Sequence, residues 1–449
     1  MTDAASMGAK VAELMPGVRD DLVRLVRIPS VAFPGFPAEP VHDAARAVVD
    51  LLAAAGVADA REVEIAGGYP AVYGEIAAPA GRPTVLLYAH YDVQPAGPAD
   101  AWASPPFEPE VRDGRMFGRG AADDKSGVVS HGAALRAFGG RPPVGVRIII
   151  EGEEETESHL HEYVLAHPDL FQADAIIVAD AGNQRPGVPT LTTALRGVVS
   201  CTVEVRTLAA PVHSGQFGGP APDALMALVR MLATLQDERG NVAIAGLASG
   251  AWTGGAQGDE GRFRRAAGVI DGVDLIGDGS VADRLWARPS INVIGIDAPP
   301  VAGAANALVP VARARVSLRV APEEDGRRAL HLLRDHLQSV APWHAQVRVF
   351  GGMFGPGYAA ATDGPVYAAA KRGMEAAFGR PAIMGGAGGS IPLVNVLASV
   401  APSAEIIMWG AEDSASAIHG PNESVDLADV ERMILAEALL FAELGEAAG

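Results

Sequence analysis

Two kinds of apolar pattern alternate along the chain. Apolar residues recur at helical spacing over 11–28 (Val11, Leu14, Met15, Val18, Leu22, Leu25, Val26) and again over 41–55, where Gly56 closes the run. Short, continuous apolar runs stand at 84–89, 147–151 and 175–179, and such a run reads as a strand buried on both faces. Each stops on polar residues: His90 and Asp92, then Glu151 to Glu157, then Asp180. Helical stretches at 128–138 and 157–167 alternate with these strands, which predicts an α/β fold with a mostly parallel sheet. Asp113-Gly114 inside 111–117 marks a hairpin. The pattern changes near residue 196. An alternating run at 198–205, a helix at 223–236, strands at 290–296 and 313–320, a helix at 323–340 and a strand at 346–350 predict an inserted α+β domain. The expected division is 1–195 and 356–449 for the first domain and 196–355 for the insertion, with a hinge at 351–357. After it come a helix at 366–378, a Gly-rich loop at 385–392, a strand at 405–409 and a closing helix at 425–444.

Composition narrows the class. A chain of 449 residues is too long for one core, so two domains are the default. A formal net charge of −19 argues against nucleic acid or an anionic membrane as partner, since both demand a basic face. Cys201 is the single cysteine and sits in the alternating run, where it reads as a small core hydrophobe. A disulfide framework is therefore excluded, and a reducing, cytoplasmic compartment is expected. Residues 1–10 lack the pattern of a secretory signal, and no apolar run reaches membrane-spanning length.

The strand ends carry the chemistry. His90 with Asp92, Asp123 with Asp124, Glu154 with Glu155, and Asp180 all follow predicted strands, and His419 follows a fifth. Ligands on open α/β sheets bind at such carboxyl ends. Imidazole and carboxylate donors without thiolate suit zinc, manganese or cobalt. The candidates outnumber what one tetrahedral ion needs; they suit two ions about 3.5–4 Å apart that share a carboxylate. Gly118-Arg-Gly-Ala121 is not a phosphate loop, because no Gly-Lys-Ser/Thr ending follows.

In order along the chain, His90-Tyr-Asp92, Ala122-Asp-Asp-Lys125, Glu151-Gly-Glu-Glu-Glu155, Val212-His-Ser-Gly215 and Ser317-Leu-Arg-Val320 resemble the motifs of a cocatalytic metallopeptidase family. That family includes carnosinase-like dipeptidases, glutamate carboxypeptidase, tripeptide aminopeptidase and aminoacylase. The resemblance implies two divalent ions per chain, zinc first, with manganese or cobalt possible. It implies that His90 and Asp180 bind one ion, that Glu155 and His419 bind the other, and that Asp123 bridges them. Asp92 would orient His90, and Glu154 would act as general base. The inserted domain would be a lid through which the chain forms a homodimer, with His213 reaching into the partner subunit's site. Asn306, Arg319 and the Gly388-Gly389-Ser390 loop match substrate-binding positions, the loop resembling a backbone nest for a carboxylate. The activity implied is metal-dependent hydrolysis of dipeptides or short peptides with a free C-terminal carboxylate. An N-acyl or carbamoyl amino-acid amidohydrolase is the alternative on the same scaffold, and a metal-binding, non-catalytic scaffold is the alternative of another class. Ser126 departs from the family's context beside Asp123, the five glutamates of 151–157 allow the base and ligand to slip by one residue, and 250–261 has no counterpart.

Overall fold

The continuous apolar runs become the middle of one sheet. Seven of its nine strands lie in the order Arg61–Val63, Ala71–Ile76, Gly145–Glu151, Thr84–His90, Ala175–Val178, Glu405–Met408, Thr190–Leu195, and Tyr358–Ala359 and Ile383–Ala387 both pair with the last. The four from Gly145–Glu151 to Glu405–Met408 are parallel, and the flanking pairs are antiparallel. A parallel sheet is covered on both faces, which is why Val85, Leu87, Ile148, Ile150, Ile177 and Ile407 show no polar alternation and are all buried. Helices Ala4–Val26, Glu39–Ala54, Lys125–Arg136, Pro365–Phe378 and Leu427–Ala447 supply the rest of that core.

The computed structural model describes residues 3–255, 258–389 and 391–447. It resolves into two units by internal contact: residues up to Thr193 with Ala360–Gly385 and those from Leu393 onward, and Ala194–Ala359 with Gly386–Pro392. The second unit holds a four-stranded antiparallel sheet in the order Ser290–Asp297, Val311–Val320, Gly197–Arg206, Gln346–Gly355. Helices Ala224–Ala233 and Gly326–Ser339 pack Leu228, Met231, Leu330, Leu333 and Leu337 against Val199, Cys201, Val203 and Val316 of this sheet.

Local differences from expectation have identifiable causes. The first helix starts at Ala4, where Asp3 caps it by accepting from Ala5 N, and ends at Val26. There the buried Lys125 Nζ donates to Leu25 O at 2.9 Å and Ile28 O at 2.8 Å, satisfying carbonyls at the helix's free end. The expected hinge at 351–357 is largely strand: Gln346–Gly355 runs on until Gly355 pairs with Val198. A bulge at Gly351 (φ 62°) and Gly352 sets two residues opposite the single Cys201, absorbing one extra residue between the partners of Thr202 and Ser200. Of the Gly-rich loop expected at 385–392, residues 385–387 finish strand Ile383–Ala387 and Pro392 opens helix Pro392–Val400. The hairpin forms as expected, Glu110–Arg112 against Arg115–Phe117, with Asp113 and Gly114 both at positive φ. Among the described residues no helix is long and apolar enough to cross a membrane.

Candidate metal centre

Parallel pairing levels the strand ends, so the polar residues that finish them meet. His90 ends Thr84–His90 and stands in register with Glu151, which ends Gly145–Glu151. Asp180 follows Ala175–Val178 by two residues. Asp123 precedes the Lys125–Arg136 helix, and His419 lies in the loop after Glu405–Met408. Asp123 Oδ1 is 3.0 Å from His90 Nε2, and its other oxygen, Oδ2, is 3.0 Å from His419 Nε2. Glu155 Oε2 is 3.2 Å from that same His419 nitrogen. Ligand atoms of His90, Asp123 and Asp180 fall within 4.8 Å of one another, and so do those of Asp123, Glu155 and His419. Asp123 thus belongs to both groups, one oxygen facing each histidine.

Asp92 ties the two sides together. Its main-chain oxygen lies 3.1 Å, and its Oδ1 3.4 Å, from His90 Nδ1. With acceptors on that side, Nδ1 carries a proton, which leaves Nε2, the nitrogen facing Asp123, as the ring atom available to a metal. The two Asp92 carboxylate oxygens also accept from Glu154 N and Glu155 N, each at 3.0 Å. One buried carboxylate therefore positions the imidazole and the turn bearing both glutamates. Glu155 accepts from Gln94 Nε2 at 2.8 Å and joins the His419 group, whereas Glu154 joins neither group. His419 sits at φ 61°, a left-handed backbone that costs a non-glycine residue about 1–3 kcal/mol and persists only where its surroundings hold it.

The charges explain what the cluster can hold. Burial opposes the His90 imidazolium, but bonds to Asp123 and Asp92 outweigh it and raise the pKa well above the ordinary value. On Asp123, burial is outweighed by the bonds from His419 and His90, which hold it below the usual carboxylate range. Bonds to Asp123 and Glu155 push His419 up to about 10. The remaining acids move the other way. Burial, reinforced by neighbouring carboxylates, pushes Glu154 up to about 8 and raises Asp180 and Glu412 well above their usual range. Glu412 Oε1 has no partner among the described residues. Crowded, under-neutralised carboxylates beside imidazole nitrogens, with no thiolate, are a donor set that fits divalent cations.

Several residues that complete this framework carry no signal in the sequence. Buried Glu423 accepts from Gly120 N at 3.1 Å, Ala122 N at 3.0 Å and Asp123 N at 3.1 Å, and pairs with buried Arg119. It fixes the loop that presents Asp123 from 300 residues away in sequence. Ser126 Oγ donates to Ala122 O at 2.8 Å, so the departure at this position serves the same loop. His131 is on the Lys125–Arg136 helix with its Nδ1 2.8 Å from Glu437. Glu153 Oε2 lies 2.9 Å from His159 Nδ1.

The other candidates belong to the second unit. His213 and Asn306 are brought together: His213 pairs with Ala307 in a short antiparallel bridge, and Ser214 N donates to Asn306 O at 2.9 Å. His213 is exposed, and its Nδ1 accepts from Gly215 N at 3.0 Å, so a neutral ring carries its proton on Nε2. Arg319 lies in Val311–Val320, in register with Val198 on one side and Ser290 on the other. Gly388 and Gly389 do not adopt the positive φ of a nest. A Cβ on Gly388 would come 3.6 Å from Arg196 Nη2. Ser390 lies outside the described residues.

Residues 86–442 match the model of peptidase family M20/M25/M40. A cysteinylglycine-S-conjugate dipeptidase of Corynebacterium striatum is 40% identical over 371 residues, covering 81% of this chain and 82% of that protein. A Cys-Gly metallodipeptidase of Schizosaccharomyces pombe is 28% identical over 80% of this chain and 79% of its own. Among solved structures, the di-peptidase Dug1p of Saccharomyces cerevisiae superposes with a TM-score of 0.82 at 22% identity, over 99% of both chains. Human carnosine dipeptidase 1 gives 0.80 at 24% identity, again over 99% of both. These structural likenesses speak for the fold.

Proposed function

Because the chain belongs to peptidase family M20/M25/M40, we propose that it is a metallodipeptidase acting on dipeptides or short peptides with a free C-terminal carboxylate. The observation that carries this reading is Asp123, one carboxylate shared by two ligand groups, with Glu154 beside them in neither. His90 and Asp180 would hold one divalent ion, Glu155 and His419 a second, and Asp123 both, zinc being the first choice. Ions bound there would acidify a water and polarise the scissile carbonyl. Glu154 takes the water's proton on a carboxylate oxygen and returns it to the leaving amine nitrogen, so that no proton is consumed over the cycle. Asp92 keeps the His90 ring and the Glu154–Glu155 turn in place throughout. His213 Nε2–H donates to the carbonyl oxygen of the substrate in a neighbouring subunit.

Several features support assembly and substrate choice. Ser290–Asp297 is a sheet edge of eight residues with Val293, Ile294 and Ile296 exposed, the kind of surface that a second copy covers in a homodimer. Arg319 offers a planar fork suited to a carboxylate. The names of the two relatives make Cys-Gly and its S-conjugates the first substrates to assay. The single cysteine accords with a cytoplasmic setting. The test is a comparison of Cys-Gly, other dipeptides and their C-terminal amides as substrates. Turnover of the acids and not the amides is expected, with Arg319→Lys already impaired because an ammonium cannot reproduce the fork. Equal turnover of acid and amide would move the activity to an aminopeptidase or a general amidase.

A further inference from the structure

The second unit contains a cavity of about 260 Å³ that the metal chemistry does not use. All its lining residues lie in Ala194–Ala359. Phe263, Leu275, Val281 and Leu285 give it apolar walls. No aspartate or glutamate lines it, yet three arginines do. Two of these are already engaged. Arg284 pairs with Glu260 and donates to Ile276 O at 3.2 Å; Arg288 donates to Gly250 O at 3.1 Å and Asp278 O at 2.9 Å.

Arg196 is different. It is 93% buried, at 7% relative exposure, and forms no ion pair among the described residues. Its Nη1 donates to Ser290 Oγ at 3.0 Å and Arg288 O at 3.4 Å, and its Nε finds no acceptor. A buried guanidinium without a carboxylate is costly. Burial, with the charge of nearby Arg319 added, pushes its pKa down to about 10. An anion seated against Arg196 would remove that cost, and the apolar walls would take whatever carries the anion.

We propose that this cavity is a binding site for a small carboxylate with an apolar body, anchored on Arg196 and enclosed by Phe263, Leu275, Val281 and Leu285. Its size sets the class of ligand. A cavity of about 150 Å³ accepts benzene, so one of about 260 Å³ accommodates roughly ten non-hydrogen atoms, the size of a phenylalkanoate or a branched-chain acid. The site goes beyond the peptidase reading and does not rest on it, since no residue of the Asp123 cluster takes part.

The probe is 3-phenylpropanoate, titrated into the full-length protein and followed by calorimetry and by tryptophan fluorescence. Trp286 lies in the same Asp283–Ala287 turn as Leu285 and packs edge-on to Trp252 at 5.1 Å, so occupation reaches a reporter. Saturable binding of the acid, and not of 3-phenylpropanamide, is expected. Arg196→Met should weaken it by roughly ten- to a hundredfold, the worth of a hydrogen bond to a charged group. Leu285→Trp, which fills the space and leaves the guanidinium intact, should abolish it even if Arg196→Met fails to fold. Repeating the titration with a chelator distinguishes the site from metal ligation, and unchanged affinity is expected. Binding that vanishes with the chelator, equal binding of the amide, or full affinity in Leu285→Trp would overturn the proposal.

Discussion

Glu154 and Glu155 are neighbours in sequence, yet only one of them lies with His419. The difference arises at the backbone, where Asp92 accepts from both N–H groups and turns the two side chains apart. Replacing the oxygen that takes a proton should spare the ligands. Glu154→Gln is therefore expected to keep its metal and to lower kcat by roughly 10²–10⁴, the usual worth of a general base. Metal analysis beside steady-state kinetics checks this. Loss of metal in Glu154→Gln, with retention in Glu155→Gln, would exchange the two assignments. His90 and Asp180 could be grouped from sequence because each follows a run apolar enough to be a central strand, and Asp123 because Ala122-Asp-Asp-Lys125 resembles a family motif. Glu412, Glu423 and Glu437 could not. Each is a lone carboxylate without a spacing pattern, and the groups that Glu423 and Glu437 meet lie about 300 residues away.

At the level of elements, the buried His131–Glu437 pair joins the Lys125–Arg136 helix to Leu427–Ala447, with His131 Nε2 3.1 Å from Tyr88 O. Burial and Asp124 also act on this imidazole, but Glu437 outweighs the burial and raises its pKa above the ordinary 6.5. A raised folded pKa means that the pair stabilises in full below about pH 6.5 and loses that contribution as pH climbs through the folded value. Glu437→Gln should thus cost about 1–3 kcal/mol near pH 6 and progressively less as pH rises through the folded value. Urea unfolding of both proteins at each pH measures it, and a penalty that does not change with pH would contradict the assignment. Strands and helices with strong periodicity were legible in the chain because burial enforces the period. The start of the 385–392 loop was not: its glycines suggest a loop, while pairing with Thr190–Leu195 makes 385–387 a strand. Gly351 and Gly352 misled in the same way, since a bulge and a hinge share their sequence signature.

For the whole molecule, the proposed catalytic unit needs two copies, because His213 is read as serving a neighbour's site. Mixing inactive His213→Ala with inactive Glu154→Gln protomers, under conditions that exchange subunits, should recover part of the activity. A fully active monomer in sedimentation would exclude that arrangement. The change from continuous to alternating strands falls near residue 196 and the second contact unit begins at Ala194, whereas the inclusion of Gly386–Pro392 in that unit depends on contacts rather than on pattern. The central claim is that one carboxylate serves two metal ions, and metal analysis of active enzyme beside Asp123→Ala tests it most directly. The expected result is about two divalent ions per wild-type chain, dipeptide hydrolysis lost to a chelator and restored by zinc, manganese or cobalt, and loss of both ions and activity in Asp123→Ala. Active wild-type enzyme without stoichiometric metal, or Asp123→Ala that keeps both ions and its activity, would contradict it.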